Sequence, residues 1–182
     1  SRKKWWINSV LFMLLLASMV APFQVYMIPL VKLYGGLLGM SNRIITVVYV
    51  AAGLNVPFAV FLYHGFVSGI PRELDEAAEI DGCGFTRTFF EIIFPLLKPI
   101  MITVMVFVAL AVWNDYLMTS LFMTKIETRT LAIAAFAFLT NHTADYSPMM
   151  AGLVLGIIPV LVFYLFGQKY IIEGVVAGSV KG

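Results

Sequence analysis

The chain has 182 residues, of which 61% are hydrophobic and only 12% charged, with a mean hydropathy of +0.94. A soluble domain carries roughly 45–50% apolar and about 25% charged residues, so this excess of apolar surface calls for a solvent other than water. The net charge of +2 offers no basic footprint for nucleic acid, and the single cysteine, Cys83, excludes an intrachain disulfide and a cysteine-based metal site. His64 and His142 lie far apart and lack ligand spacing.

A bilayer core about 30 Å thick takes roughly 20 apolar residues as a helix. Four stretches approach that length: residues 7–27, 44–66, 96–118 and 149–166. Their apolar runs are continuous rather than alternating, which excludes barrel strands. Pro22, Pro57, Pro99 and Pro159 fall one in each stretch and are expected to kink its helix. The first stretch has a rival reading, because Arg2-Lys3-Lys4 before an apolar run and small residues also fits a signal peptide. Its apolar run, however, continues through Pro22 without a clear cleavage pattern.

With alternating spans, Arg2, Lys3, Lys4, Arg72, Arg87, Lys98, Lys169 and Lys181 fall on one side, and Lys32, Arg43, Lys125 and Arg129 on the other. The richer side is expected to be cytoplasmic. Both ends of the chain and the connection between the second and third spans are then cytoplasmic, with Trp5 and Trp6 at the inner interface.

That connection is the most informative segment. From Pro71 to Pro99 it reads PRELDEAAEIDGCGFTRTFFEIIFPLLKP, with Glu73, Asp75, Glu76, Glu79 and Asp81 in one short run. A charge at mid-bilayer costs roughly 2.5–3.5 kcal/mol, so the segment belongs in water. Pro71 suits a first helical position, and the early acids complement the positive end of the helix dipole. Leu74, Ala77 and Ala78 make a narrow apolar face, low enough for a partner's backbone to approach. Gly82 suits a left-handed C-cap. A second helix is expected from about Phe85, with Phe85, Phe89, Ile92, Ile93 and Leu96 on one face. Pro95 and Pro99 mark its passage into the third span.

Glu76-Ala77-Ala78, then Gly82, nine residues, then Ile92-Ile93-Phe94-Pro95, resembles the EAA loop of binding-protein-dependent ABC importer permeases, whose pattern is E-A-A-x-x-x-G, nine residues, I-x-L-P. Phe94 in place of leucine is the one departure, and it stays apolar. Asp81 beside Gly82 also fits. Pro22 followed by Ile28-Pro29-Leu30, the Trp113-Asn114-Asp115 triplet, and Gly174 with Ala177-Gly178-Ser179-Val180-Lys181-Gly182 resemble carbohydrate-type, maltose-like members over essentially the whole chain.

The resemblance implies an all-α membrane protein with the type I ABC importer permease fold, a single domain over residues 1–182. Four transmembrane helices would be present where the family usually has six, so two N-terminal helices are expected to be missing. An EAA loop at 71–95 would carry a cytoplasmic coupling helix, in which Glu76, Ala77, Ala78, Asp81 and Gly82 meet a separate ATPase subunit. An external loop at 119–147, with Lys125, Glu127, Arg129, His142 and Asp145, would reach toward a solute-binding protein, and the tail at 170–182 would lie near the ATPase. A second permease subunit completes the implied partners. Sugar would cross the bacterial inner membrane by alternating access. The chain contains no G-x-x-x-x-G-K-[ST], so ATP would be bound by the partner, and the chain itself is expected to be neither an enzyme nor a cofactor holder.

Asn55, Tyr63, Asn114, Asp115 and Tyr116 are the polar candidates for the substrate path, with Asp115 and Tyr116 also readable as interfacial residues. A permease for a non-sugar solute (polyamine, phosphate or a metal complex) or a secondary transporter are the alternatives. Gly65-x-x-x-Gly69 and Gly152-x-x-x-Gly156 fit helix packing but are common patterns. Asn141-His142-Thr143 matches a glycosylation acceptor without meaning in a bacterial protein, and Cys83 reads as a small filler.

Overall fold

A computed structural model describes residues 5–139 and 146–179. Arg2-Lys3-Lys4, Asn141-His142-Thr143, Asp145 and Val180-Lys181-Gly182 lie outside the described residues. Within them the elements are helical. They are α1 (Trp6–Val20), α2 (Phe23–Leu37), α3 (Ile44–Gly69), α4 (Glu73–Ile80), α5 (Phe85–Leu96), α6 (Lys98–Trp113), α7 (Leu117–Phe122), α8 (Leu131–Phe136) and α9 (Tyr146–Ser179). Two stretches are π-wound: Val31–Leu37 within α2 and Thr88–Ile93 within α5.

Two helices, α3 and the Tyr146–Gln168 part of α9, are each long and apolar enough to cross a membrane. The number rises to four if α1 with α2, and α5 with α6, each count as one bent span. Two expected spans are therefore corrected. The stretch 7–27 is not one helix: α1 stops at Val20, and Pro22, extended at ψ 144°, starts α2 by accepting the Val25 N–H through its carbonyl. A proline ring has no N–H with which to continue α1. The stretch 96–118 is likewise cut, by a break at Leu97 with a 63° bend and by the end of α6 at Trp113. The four prolines also behave differently from one another. Pro57 and Pro159 sit inside unbroken helices, whereas Pro99 lies in the first turn of α6, where the missing N–H costs nothing.

The chain forms two compact units. The first comprises residues up to Ser18, Pro57–Phe107 and residues from Phe166 on; the second comprises Met19–Val56 and Val108–Leu165. Arg72, Arg87, Lys98 and Lys169 belong to the first, and Lys32, Arg43, Lys125 and Arg129 to the second.

In the first unit, Ile93, Leu97, Ile100 and Val104 are buried at spacings of four and three, one face running from α5 into α6. The Phe12 ring stacks on His64 with centroids 4.0 Å apart. In the second unit, Val50 and Ala51 of α3 pack with Met118 and the fully buried Phe122 of α7, under Phe23 and Tyr34. Helices in lipid gain little from hydrophobicity, so fit decides their packing. Gly152 illustrates this: a Cβ there would stand 3.2 Å from the Ala135 Cβ, so α8 lies close on α9 because the glycine has no side chain. Gly156, one turn on, lies under Leu131. This pair is thus a packing site, while around Gly65 and Gly69 a Cβ would meet nothing within 4 Å. Only 6% of the apolar stretch of α9 is buried, leaving most of its surface to lipid or to another membrane chain.

Candidate functional site

The acidic segment folds as a capped helix laid on the start of the next. Helix α4 begins at Glu73, where the Arg72 carbonyl accepts the Asp75 and Glu76 N–H groups. Pro71 therefore precedes the cap instead of occupying the first turn. Glu73, Asp75 and Glu76 stand in that turn, where the orphan N–H groups favour negative charge. At the other end, Gly82 takes φ +76°. Its N–H donates to the Glu79 carbonyl at 3.0 Å, and the Cys83 N–H donates to the Ala78 carbonyl at 2.8 Å. This pair of bonds is a Schellman cap, which requires a left-handed residue at the position of Gly82.

The narrow apolar face divides. Ala78 is 2% exposed, tucked into the chain itself, while Leu74 and Ala77 stay exposed. Ala78 is thus unavailable to a partner, and its small side chain serves local packing. Glu76, Asp81 and Gly82 are exposed. The single face expected for Phe85, Phe89, Ile92, Ile93 and Leu96 is also corrected. Ile93 is buried but Phe85 is 81% exposed, and Phe89 and Leu96 are exposed as well. The π-wound stretch Thr88–Ile93 has more residues per turn than an α-helix, so positions before and after it fall out of phase. The Arg87 Nε donates to Glu91 Oε2 at 2.9 Å, and that bond with the charge of Glu91 raises the guanidinium pKa above its usual value. Both side chains are well exposed, so the pair contributes little to stability.

Two large apolar side chains flank the cap: Ile80, 86% exposed, and Phe85. Ile80 lies off the Leu74–Ala77–Ala78 face, and an apolar residue on the polar side of so short a helix was the available signal for it. Both large apolar groups are held outward beside the cap, with neither covered by the rest of the described chain.

The polar candidates separate. Asn114 and Tyr116 line a groove of about 920 Å³ with Trp113, Phe136 and Phe163. Asn55 and Asp115 line a smaller cavity of about 260 Å³ with Tyr26. Tyr63, half-buried on α3, lines neither and belongs to the other unit. Most of these polar groups have internal partners. Asn55 Nδ2 donates to the Ala51 carbonyl and Asn114 Nδ2 to that of Leu110. Asp115 Oδ2 accepts both the N–H and the hydroxyl of the buried Thr119, at 2.8 and 2.6 Å. The carboxylate thereby satisfies an N–H in the first turn of α7 that has no partner within the helix. Trp113 Nε1 donates to the Gly156 carbonyl at 3.1 Å, joining α6 to α9. Each member of the triplet thus has a defined structural task.

The described part of 119–147 is ordered, comprising the end of α7, a 3₁₀ turn at Ile126–Thr128 and α8. Lys125, Glu127 and Arg129 are exposed on it.

The family model of the binding-protein-dependent transport system inner membrane component matches residues 1–176. Among curated relatives, the chain is 40% identical over 172 residues to a probable starch degradation products transport system permease protein of Thermoanaerobacterium thermosulfurigenes, covering 94% of this chain and 62% of the relative. It is 36% identical over 183 residues to a melibiose/raffinose/stachyose import permease protein of Bacillus subtilis, covering 100% of this chain and 66% of the relative. It is 37% identical over 177 residues to a multiple sugar-binding transport system permease protein of Streptococcus mutans, covering 95% and 62%. The chain spans just under two thirds of the length of these relatives.

Proposed function

The chain belongs to the binding-protein-dependent transport system inner membrane component family, a family of multi-pass membrane permeases, and from that premise we propose that it is the transmembrane subunit of an ATP-driven sugar importer. It moves a sugar or sugar-like solute by alternating access, beside a second permease subunit, and receives it from an external binding protein. Energy comes from a separate ATPase that docks on α4. The observation that carries the coupling role is the exposure of Ile80 and Phe85 on either side of a rigid Schellman cap. A capped turn transmits a push where a frayed one would absorb it. Glu76, Ala77, Asp81 and Gly82 form the docking surface with them, and Ala78 anchors that surface from beneath. The sugar reading rests on the relatives, which are permeases for starch degradation products, melibiose-type sugars and multiple sugars, and the groove of Trp113, Asn114, Tyr116 and Phe136 is the section of the path this chain contributes.

Cys83 sits in the cap itself, half-buried and free, and serves as the reporter. In inside-out vesicles, a membrane-impermeant maleimide is expected to label it only after peripheral proteins are stripped. Labelling solely from the external face would overturn the orientation and the coupling role. Equal labelling before and after stripping would remove the docked ATPase. Uptake of a panel of radiolabelled solutes separates a sugar permease from one for polyamine, phosphate or a metal complex. Uptake driven by a proton gradient without ATP would identify a secondary transporter.

A further inference from the structure

Asn42 has one of the unusual backbone conformations of the chain, φ +59°, in the short connection between α2 and α3. A residue with a side chain adopts this region at a cost, and asparagine is among the few that tolerate it. What the conformation achieves is visible in its bonds. The Asn42 N–H donates to the Phe122 carbonyl at 2.8 Å. Its Oδ1 accepts the Thr124 and Lys125 N–H groups, each at 2.8 Å, and the Thr128 hydroxyl at 3.2 Å. Its Nδ2 donates to Thr124 Oγ1 at 3.1 Å. One residue therefore grips the chain on both sides of the buried Met123, reaching Thr124, 82 residues away in sequence. Thr46, fully buried, steadies the grip from behind by donating to the Met40 carbonyl at 2.6 Å.

The gripped segment leads into the turn Ile126–Thr128, closed by the Thr128 N–H donating to the Lys125 carbonyl at 3.1 Å. At its tip Ile126 is 76% exposed, between exposed Lys125 and Glu127. This is a presented apolar side chain in a charged frame, on a turn whose base is held by side-chain bonds. We infer that Asn42 is a positioning residue for solute delivery: it holds the Lys125–Arg129 turn in the geometry that meets the loaded external binding protein. The inference rests on the importer reading and adds to it a residue on a different loop, one that touches neither solute nor ATPase. A turn ordered in advance spares the partner the cost of ordering it on contact. Loss of the grip therefore weakens engagement and leaves later steps alone.

The test uses the full-length protein assembled with its partner permease and ATPase in proteoliposomes, with ATPase rate read against the concentration of sugar-loaded binding protein. Asn42→Gly keeps the backbone conformation accessible and removes the carboxamide. Asn42→Asp keeps an oxygen acceptor for the Thr124 and Lys125 N–H groups. Asn42→Gly is expected to raise the half-maximal concentration about tenfold, the scale of two or so lost hydrogen bonds. The maximal rate and the rate without binding protein stay unchanged, and Asn42→Asp restores most of the affinity. Thr128→Val, which removes one bond, shifts the same quantity in the same direction by a smaller factor, and decides the matter if the glycine variant fails to assemble. An unchanged half-maximal concentration in these variants, or a fall in maximal rate alone, overturns the inference while the importer reading stands. A wild-type complex that no binding protein stimulates overturns the importer reading and this inference with it.

Discussion

Replacing Gly82 tests the coupling turn with a built-in control. Its φ of +76° lies where a Cβ collides with the chain's own carbonyl, at roughly 1–2 kcal/mol for an ordinary residue and less for asparagine. Around the position, a Cβ would meet nothing within 4 Å, so no steric cost from neighbours is added. Gly82→Ala should therefore weaken the capped turn by that conformational cost alone, about 5- to 30-fold in its equilibrium. The bonds at stake are Cys83 N–H to Ala78 and Gly82 N–H to Glu79. Gly82→Asn should be milder and Gly82→Val more severe. The assay is binding of the ATPase subunit to the reconstituted permease, with ATP-dependent uptake alongside. Backbone conformation ranks the variants Asn, Ala, Val from mild to severe, whereas side-chain volume ranks alanine mildest. An alanine variant that outperforms the asparagine variant would refute the conformational reasoning and put a partner atom against Gly82. Full docking by all three would remove the turn from the coupling surface.

Two further outcomes follow from the triplet at the end of α6. Asp115→Ala leaves the N–H and hydroxyl of the buried Thr119 without their acceptor and should cost about 1–3 kcal/mol in thermal unfolding in detergent, whereas Asp115→Asn should retain most of the stability. An asparagine variant that is stable yet unable to take up solute would show that the charge serves the substrate path. Trp113→Phe keeps an aromatic ring, though a smaller one, and loses the bond to the Gly156 carbonyl, so it should cost at least about 0.5–1.5 kcal/mol by the same assay. No measurable change would mean that α6 and α9 are held by packing alone.

The properties legible in the sequence are those that short-range chemistry decides. Apolar length and charge scarcity identify a membrane chain. Acids at the start of α4 and a left-handed glycine at its end follow from orphan N–H and carbonyl groups that any isolated helix would have. The tertiary structure decided what depends on the far side of a contact. Whether Ala78 or Ala77 turns inward depends on the Thr88–Ile93 segment, whose π winding also put Phe85 and Ile93 on different faces. The glycine pair of α9 acquired meaning only where Ala135 and Leu131 came to rest on it. Asp115 and Asn55, read as substrate groups because charge and amide are rare in spans, proved to be bonded within the chain. Asn42 carried no signal at all, since its partners Thr124, Lys125 and Thr128 are more than 80 residues away. Local composition sets which bonds a residue needs, but only the folded chain sets which distant groups supply them.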